Sequence, residues 1–132
     1  MKPNLFSVIA LLATSTLVGI NSPANATSSS YQKTCNQISV SGNVLSANCR
    51  RINGTFNETS IVLRGIENIN GTFKVTDPAK ISNYQSTCDD IRIRGNDLTA
   101  TCKRRNGTLK RTSIVLQGIE NINGVLKYTS SP

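Results

Sequence analysis

The chain has 132 residues, 15 Lys and Arg against 7 Asp and Glu, four cysteines and no histidine. Without histidine the commonest general base is missing, and a Cys–His nucleophile pair cannot be built. A net charge of +8 permits attraction to anionic surfaces but does not establish it.

The N-terminus begins with the positive charge of Lys2, followed by an apolar run from Leu5 to Ile20, then Pro23, Ala24 and Ala26. A charged start, a short apolar core and an Ala-x-Ala end predict a secretory signal peptide over residues 1–26, cleaved after Ala26. The apolar run is shorter than the ~20 residues a spanning helix needs, and no later segment is apolar enough to cross a bilayer. The expected mature product is therefore secreted or periplasmic. It runs from Thr27 to Pro132, one small domain that keeps 14 basic residues against 7 acidic ones once Lys2 is removed. A domain of this size buries a limited share of its surface and often needs covalent help.

Shifting the chain by 53 residues superimposes it on itself without a gap. Tyr31-Gln32-Lys33-Thr34-Cys35 falls on Tyr84-Gln85-Ser86-Thr87-Cys88, and Gly65-Ile66-Glu67-Asn68-Ile69-Asn70-Gly71 falls on Gly118-Ile119-Glu120-Asn121-Ile122-Asn123-Gly124. Of 49 aligned positions 28 are identical, which establishes an internal duplication with repeats of about 31–83 and 84–130.

Each repeat opens with Ile38-Ser39-Val40-Ser41 or Ile91-Arg92-Ile93-Arg94, where the apolar positions persist and the alternate ones change. That is a strand with one buried and one wet face. Gly42-Asn43 and Gly95-Asn96 turn the chain, and Leu45, Ala47, Cys49 and Leu98, Ala100, Cys102 resume the alternation, so a hairpin is predicted. Asn53-Gly54 and Asn106-Gly107 read as type I′ turns. Ile61-Val62-Leu63 and Ile114-Val115-Leu116 read as short buried strands. Ile66-Glu67-Asn68-Ile69 reads as one turn of 3₁₀ or α helix, because its isoleucines are three apart. Asn70-Gly71 and Asn123-Gly124 supply a last turn. The expected class is all-β with a few short helical turns.

Four cysteines, Cys35, Cys49, Cys88 and Cys102, allow three pairings. Duplication favours Cys35–Cys49 and Cys88–Cys102, because a single ancestral copy could close only its own pair. A zinc site would need Cys-x-x-Cys or histidine ligands, and neither is present. Paired carboxylates for glycoside hydrolysis would have to face one cleft. Asp89 and Asp90 are neighbours that a strand would point apart, whereas Glu67 and Glu120 are repeat-equivalents and imply two similar sites. The expectation is a binding protein with no catalytic residues, no metal and no cofactor.

The Thr-Cys start, a second cysteine fourteen positions on, an Asn-Gly turn, Thr-Ser-Ile and Ile-Glu-Asn-Ile-Asn-Gly, all present twice, together resemble the cyanovirin-N homology lectins from Tyr31 to Tyr128. The resemblance implies a strand-exchanged, pseudo-symmetric pair of halves, about 27–64 plus 118–130 and about 65–117. Each half has a three-stranded sheet, a β-hairpin and a sugar site at its far end. It implies the same disulfide pairing and recognition of Manα1-2Man-like units of high-mannose oligosaccharides or glycoproteins, with the antiviral activity that follows from such binding.

Carried over position by position, the first site comprises Lys33, Thr34, Arg50, Ile52 and Asn53 facing Asn121, Ile122 and Asn123. The second comprises Glu67, Asn68 and Asn70 facing Asn83, Ser86, Thr87, Arg104 and Arg105. Asparagine and glutamate suit sugar hydroxyls, which both donate and accept, and the planar donors of Arg105 suit a place over the ring. Asn53, Asn70, Asn106 and Asn123 also precede glycines, where turn geometry alone accounts for them. The alternative is a basic surface module for anionic polysaccharide or other polyanions, centred on Arg50, Arg51, Lys103, Arg104, Arg105, Lys110 and Arg111. No specific nucleic-acid partner is expected, because the few aromatics sit at core-like positions. A monomer with a minor domain-swapped dimer is expected across the Thr76-Asp77-Pro78-Ala79 linker.

Overall fold

A computed structural model describes residues 27–132; the expected signal peptide lies outside the described residues. The strands β1 (Cys35–Ser41), β2 (Val44–Arg50) and β3 (Phe56–Val62) form one antiparallel sheet in that order. In the second repeat β6 (Cys88–Arg94), β7 (Asp97–Lys103) and β8 (Leu109–Val115) form its counterpart. The strands β4 (Ile66–Ile69) and β5 (Thr72–Val75) make one hairpin, and β9 (Ile119–Ile122) and β10 (Val125–Tyr128) make the other. A 3₁₀ turn precedes each three-stranded sheet, at Tyr31–Lys33 and at Tyr84–Ser86.

Turn chemistry sets these registers. Gly42 and Gly95, at φ 59° and 60°, occupy the first central position of the tight turn after β1 and β6, the place where a II′ turn needs glycine. Asn70-Gly71 and Asn123-Gly124 carry positive φ at both residues, 52° and 89° in the first pair and 49° and 89° in the second. These are the I′ turns of the hairpins. Asn53-Gly54 departs from expectation. Only Gly54 has positive φ there, at 90°, and the chain takes five residues to pass from β2 to β3. The Asn53 side chain accepts from Thr55 N at 3.0 Å and Thr55 Oγ1 at 2.7 Å, which closes a local side-chain turn instead.

Two further expectations are corrected. Ile66–Ile69 is a strand rather than a helical turn, because the Asn-Gly turn after it folds Thr72–Val75 back as a partner. Ile61-Val62 and Ile114-Val115 end seven-residue strands of alternating exposure, with Val62 and Val115 at 40% and 41% exposed. The sheet has one covered face, so an apolar run cannot be buried throughout.

The disulfides are Cys35–Cys49 and Cys88–Cys102, each joining residues directly opposite in the ladder. In β1 and β6 the register shifts between Asn36 and Ser39 and between Asp89 and Arg92, with Gln37 and Asp90 at φ 52° and 54°. These bulges bend the strands. Leu45, Leu63, Leu98, Ile119, Tyr31 and Tyr84 are the largest fully buried side chains. The Tyr31 hydroxyl donates to the Gly95 carbonyl and the Tyr84 hydroxyl to the Gly42 carbonyl, so each repeat pins the first hairpin of the other. The hairpins also cross. Leu126 N donates to Thr59 Oγ1 and Asn57 Nδ2 to the Gly124 carbonyl, seating β9–β10 against β3. Phe73 N donates to Thr112 Oγ1 and Lys110 Nζ to Thr72 Oγ1, seating β4–β5 against β8. Among the described residues no helix is long and apolar enough to cross a membrane.

Candidate functional site

Crossing of the hairpins produces two tips, each made from the loop that follows β2 or β7 and the turn of a hairpin from the other repeat. At the first tip, Asn121 Nδ2 donates to Thr34 Oγ1 and to the Arg50 carbonyl, both at 2.9 Å, while its Oδ1 accepts from Gly124 N at 2.7 Å. Asn123 Oδ1 accepts from Ile52 N at 2.9 Å. The second tip repeats this pattern. Asn68 Nδ2 donates to Thr87 Oγ1 and to the Lys103 carbonyl, and Oδ1 accepts from Gly71 N. Asn70 Oδ1 accepts from Arg105 N at 2.9 Å.

Four asparagines assigned to sugar binding thus hold the tips together. Asn68 and Asn121, with three partners each, have little capacity left for a ligand, whereas Asn70 and Asn123 each use only Oδ1. Asn53 belongs to its own turn, as described, and lies on the exposed rim. Lys33, Arg50, Ile52 and Ile122 are exposed at the first tip; Ile52 is 91% exposed, and its side chain is open to solvent.

At the second tip Asn68, Asn70, Thr87, Arg104 and Arg105 line a pocket of about 350 Å³, together with Ile69 and Lys103. Glu67, Asn83 and Ser86 do not line it. Glu67 Oε2 accepts from Thr76 Oγ1 at 2.6 Å, and Ser86 Oγ donates to the Asn83 carbonyl. Lys103, placed by sequence in the basic cluster but not in the second sugar site, lines the pocket; the 53-residue shift pairs it with Arg50, which the first site included, so the repeat itself carried the signal.

A broader depression of about 460 Å³ lies on the outer face of β1–β2–β3, lined by Gln37, Ser46, Asn48, Glu58 and Ser60 among others. On the equivalent face of the second sheet, Arg111 Nη1 lies 3.0 Å from Asp90 Oδ2 and 3.3 Å from Thr101 Oγ1, and Arg92 Nε lies 2.8 Å from Asp90 Oδ1. The hydrogen bond from Arg92, with help from Arg111, holds the Asp90 carboxyl below the usual carboxylate range. Arg111 corresponds to Glu58 and Asp90 to Gln37, so the two sheet faces have diverged in charge.

This geometry has counterparts among known proteins. Residues 31–127 match the model of the CVNH domain. The T. borchii CVNH structure is 28% identical, with 75% of this chain and 98% of that one aligned at a TM-score of 0.64. Microvirin, solved as a complex with mannobiose, is 30% identical, with 74% and 96% aligned at 0.60. A variant of MoCVNH3 solved with (N-GlcNAc)4 is 21% identical, with 74% and 95% aligned at 0.63, a likeness of fold. The duplicated sheets, the crossed hairpins and a match over nearly all the described residues place the chain in the CVNH domain family.

Proposed function

We propose that the protein is an exported lectin that binds mannose-type oligosaccharides at both tips. The observation that carries this reading is the same asparagine frame built twice, at Asn121 and at Asn68, each holding a loop of one repeat against a hairpin of the other. A frame of satisfied hydrogen bonds keeps the surrounding donors in place, which lowers the ordering cost of binding a flexible sugar. Microvirin, with mannobiose in its structure, supports the sugar class. Export is supported by the leader-like residues 1–26 and by the closure of all four cysteines into disulfides, which persist in oxidising compartments.

Calorimetric titration with Manα1-2Man oligosaccharides tests the binding. The expected isotherm fits two sites per chain, with affinity for the monosaccharide much weaker. An isotherm with no heat for any mannose oligosaccharide would defeat the reading. N-terminal sequencing of the mature protein is expected to begin at Thr27.

A further inference from the structure

We infer that the second tip recognises a saccharide bearing an anionic group, a phosphate or a carboxylate, while the first tip takes the neutral sugar. This rests on the reading of the tips as saccharide sites and narrows it for one of them.

The groups around the 350 Å³ pocket divide into those already used and those free. The backbone donors of the loop are used: Lys103 N bonds the Thr87 carbonyl, Arg104 N the Thr108 carbonyl and Arg105 N the Asn70 side chain. Asn68 is filled at both ends of its amide. What remains is the Asn70 amide nitrogen, the Thr87 hydroxyl proton and, chiefly, positive charge. Among the described residues, Lys103 Nζ and the Arg105 guanidinium have no hydrogen bond, and the Arg104 guanidinium makes one, to Thr108 Oγ1 at 3.3 Å. The carboxylate in ion pairs is Asp90, with Arg92 and Arg111, so none answers these three cations. Glu67, nearby in the hairpin, is engaged by Thr76. Three cations around one concave pocket, with no internal counter-ion, form an anion site, and a planar guanidinium matches a phosphate or carboxylate with two parallel bonds.

The other repeat supplies an internal comparison. The first tip has Arg50 where the second has Lys103 and Lys33 where the second has Ser86, but at the loop position that carries Arg105 in the second tip it has Ile52. Its second arginine, Arg51, is bound to Thr55 Oγ1, the Phe56 carbonyl and Asn57 Oδ1. The same frame therefore presents an apolar side chain at one end and a guanidinium at the other.

The test is titration of the mature protein with four ligands: a neutral mannose oligosaccharide, the same oligosaccharide with a terminal phosphate, one ending in a uronate, and inorganic phosphate. Wild type, Arg105→Ile and Ile52→Arg are compared, and amide NMR shifts identify which tip responds. Both substitutions are at exposed positions and leave the frame intact. The expected result is about tenfold tighter binding of a charged oligosaccharide at the second tip, as suits a charge-assisted bond, weakening with added salt. Arg105→Ile should erase that gain, and Ile52→Arg should create it at the first tip. The phosphate and uronate arms show which anion is read. If the neutral sugar binds and neither charged group adds affinity, the inference falls while the lectin reading stands. Failure of all the oligosaccharides to bind overturns both. If inorganic phosphate displaces the charged sugar at equal concentration, charge alone is recognised and the saccharide assignment is wrong.

Discussion

Asn68 and Asn121 show how one residue type serves turn and frame at once. Each joins a hairpin to a loop of the other repeat, over sequence separations of 35 and 71 residues to the carbonyl it bonds. Asn68→Ala would leave the Gly71 N–H and the Lys103 carbonyl without that partner, at a cost of about 1–3 kcal/mol. A lower unfolding midpoint is therefore expected together with weaker sugar binding at the second tip. Arg105→Ala should lower binding there with the midpoint unchanged, because among the described residues its exposed side chain makes no hydrogen bond or ion pair. Thermal unfolding and calorimetry on the two variants separate these roles. The sequence marked both asparagines, since each recurs in the duplicated Ile-Glu-Asn-Ile segment. It could not say that their amides face inward, because the partners come from the other repeat. Glycine behaves similarly. Gly54 and Gly124 sit at φ 90° and 89°, but a Cβ on Gly54 meets open space, whereas one on Gly124 would lie 2.8 Å from Arg51 Cγ and 3.1 Å from Asn57 Cβ. Both lose glycine's freedom at positive φ, so Gly124→Ala should lower the midpoint further than Gly54→Ala.

At the level of elements, the period-two patterns of β1, β2, β6 and β7 were legible because each strand has one covered face. The hairpin β4–β5 was not, since four residues with isoleucines three apart fit a helical turn equally well, and pairing decided the matter. The disulfides followed from duplication. Replacing Cys35 and Cys49 together by alanine reopens a loop of about 15 residues in the unfolded chain and should cost roughly 3 kcal/mol in the chain-entropy model, seen as a lower denaturant midpoint. The two 3₁₀ turns carry the buried tyrosines that join the repeats, and these give the fold an alkaline limit. Burial, followed by the influence of Tyr128, pushes the Tyr31 and Tyr84 hydroxyls well above their ordinary value. Unfolded tyrosines ionise near pH 10. Above that pH, proton loss favours the unfolded chain, so stability is full below about pH 10 and falls as pH rises further. Tyr31→Phe and Tyr84→Phe should each lose the hydrogen bond to the opposite hairpin, about 1 kcal/mol, and soften the alkaline decline. Midpoints measured from pH 7 to pH 11 check both effects.

On the scale of the whole molecule, the crossed hairpins make the linker between β5 and the second 3₁₀ turn decisive, because the chain passes through it on the way between repeats. If it opened, a second copy could supply the same contacts, and the hinge alone would change. That hinge is well tied in the closed chain. Gly65 N bonds the Lys80 carbonyl at 2.7 Å, Thr76 N bonds the Gly65 carbonyl at 2.9 Å, and Lys80 N bonds the Asp77 carbonyl at 3.0 Å. The Asp77 side chain accepts from Ala79 N, and Arg64 Nη1 donates to the Ala79 carbonyl, both at 3.0 Å. Opening would disrupt this cluster of local bonds, while in a swapped dimer the contacts of the two halves would be recovered in the partner. The closed monomer should therefore dominate, and the hinge bonds should set the balance. Asp77→Ala removes the turn made by its carboxylate without touching the core, and should raise the dimer fraction several-fold at high concentration, since a net bond is worth about 1 kcal/mol. Arg64→Ala should act in the same direction. Light scattering across a concentration series, before and after incubation at high concentration, measures the fraction. A wild type found only as a stable higher oligomer, or an unchanged dimer fraction in both variants, would show that the hinge does not control assembly.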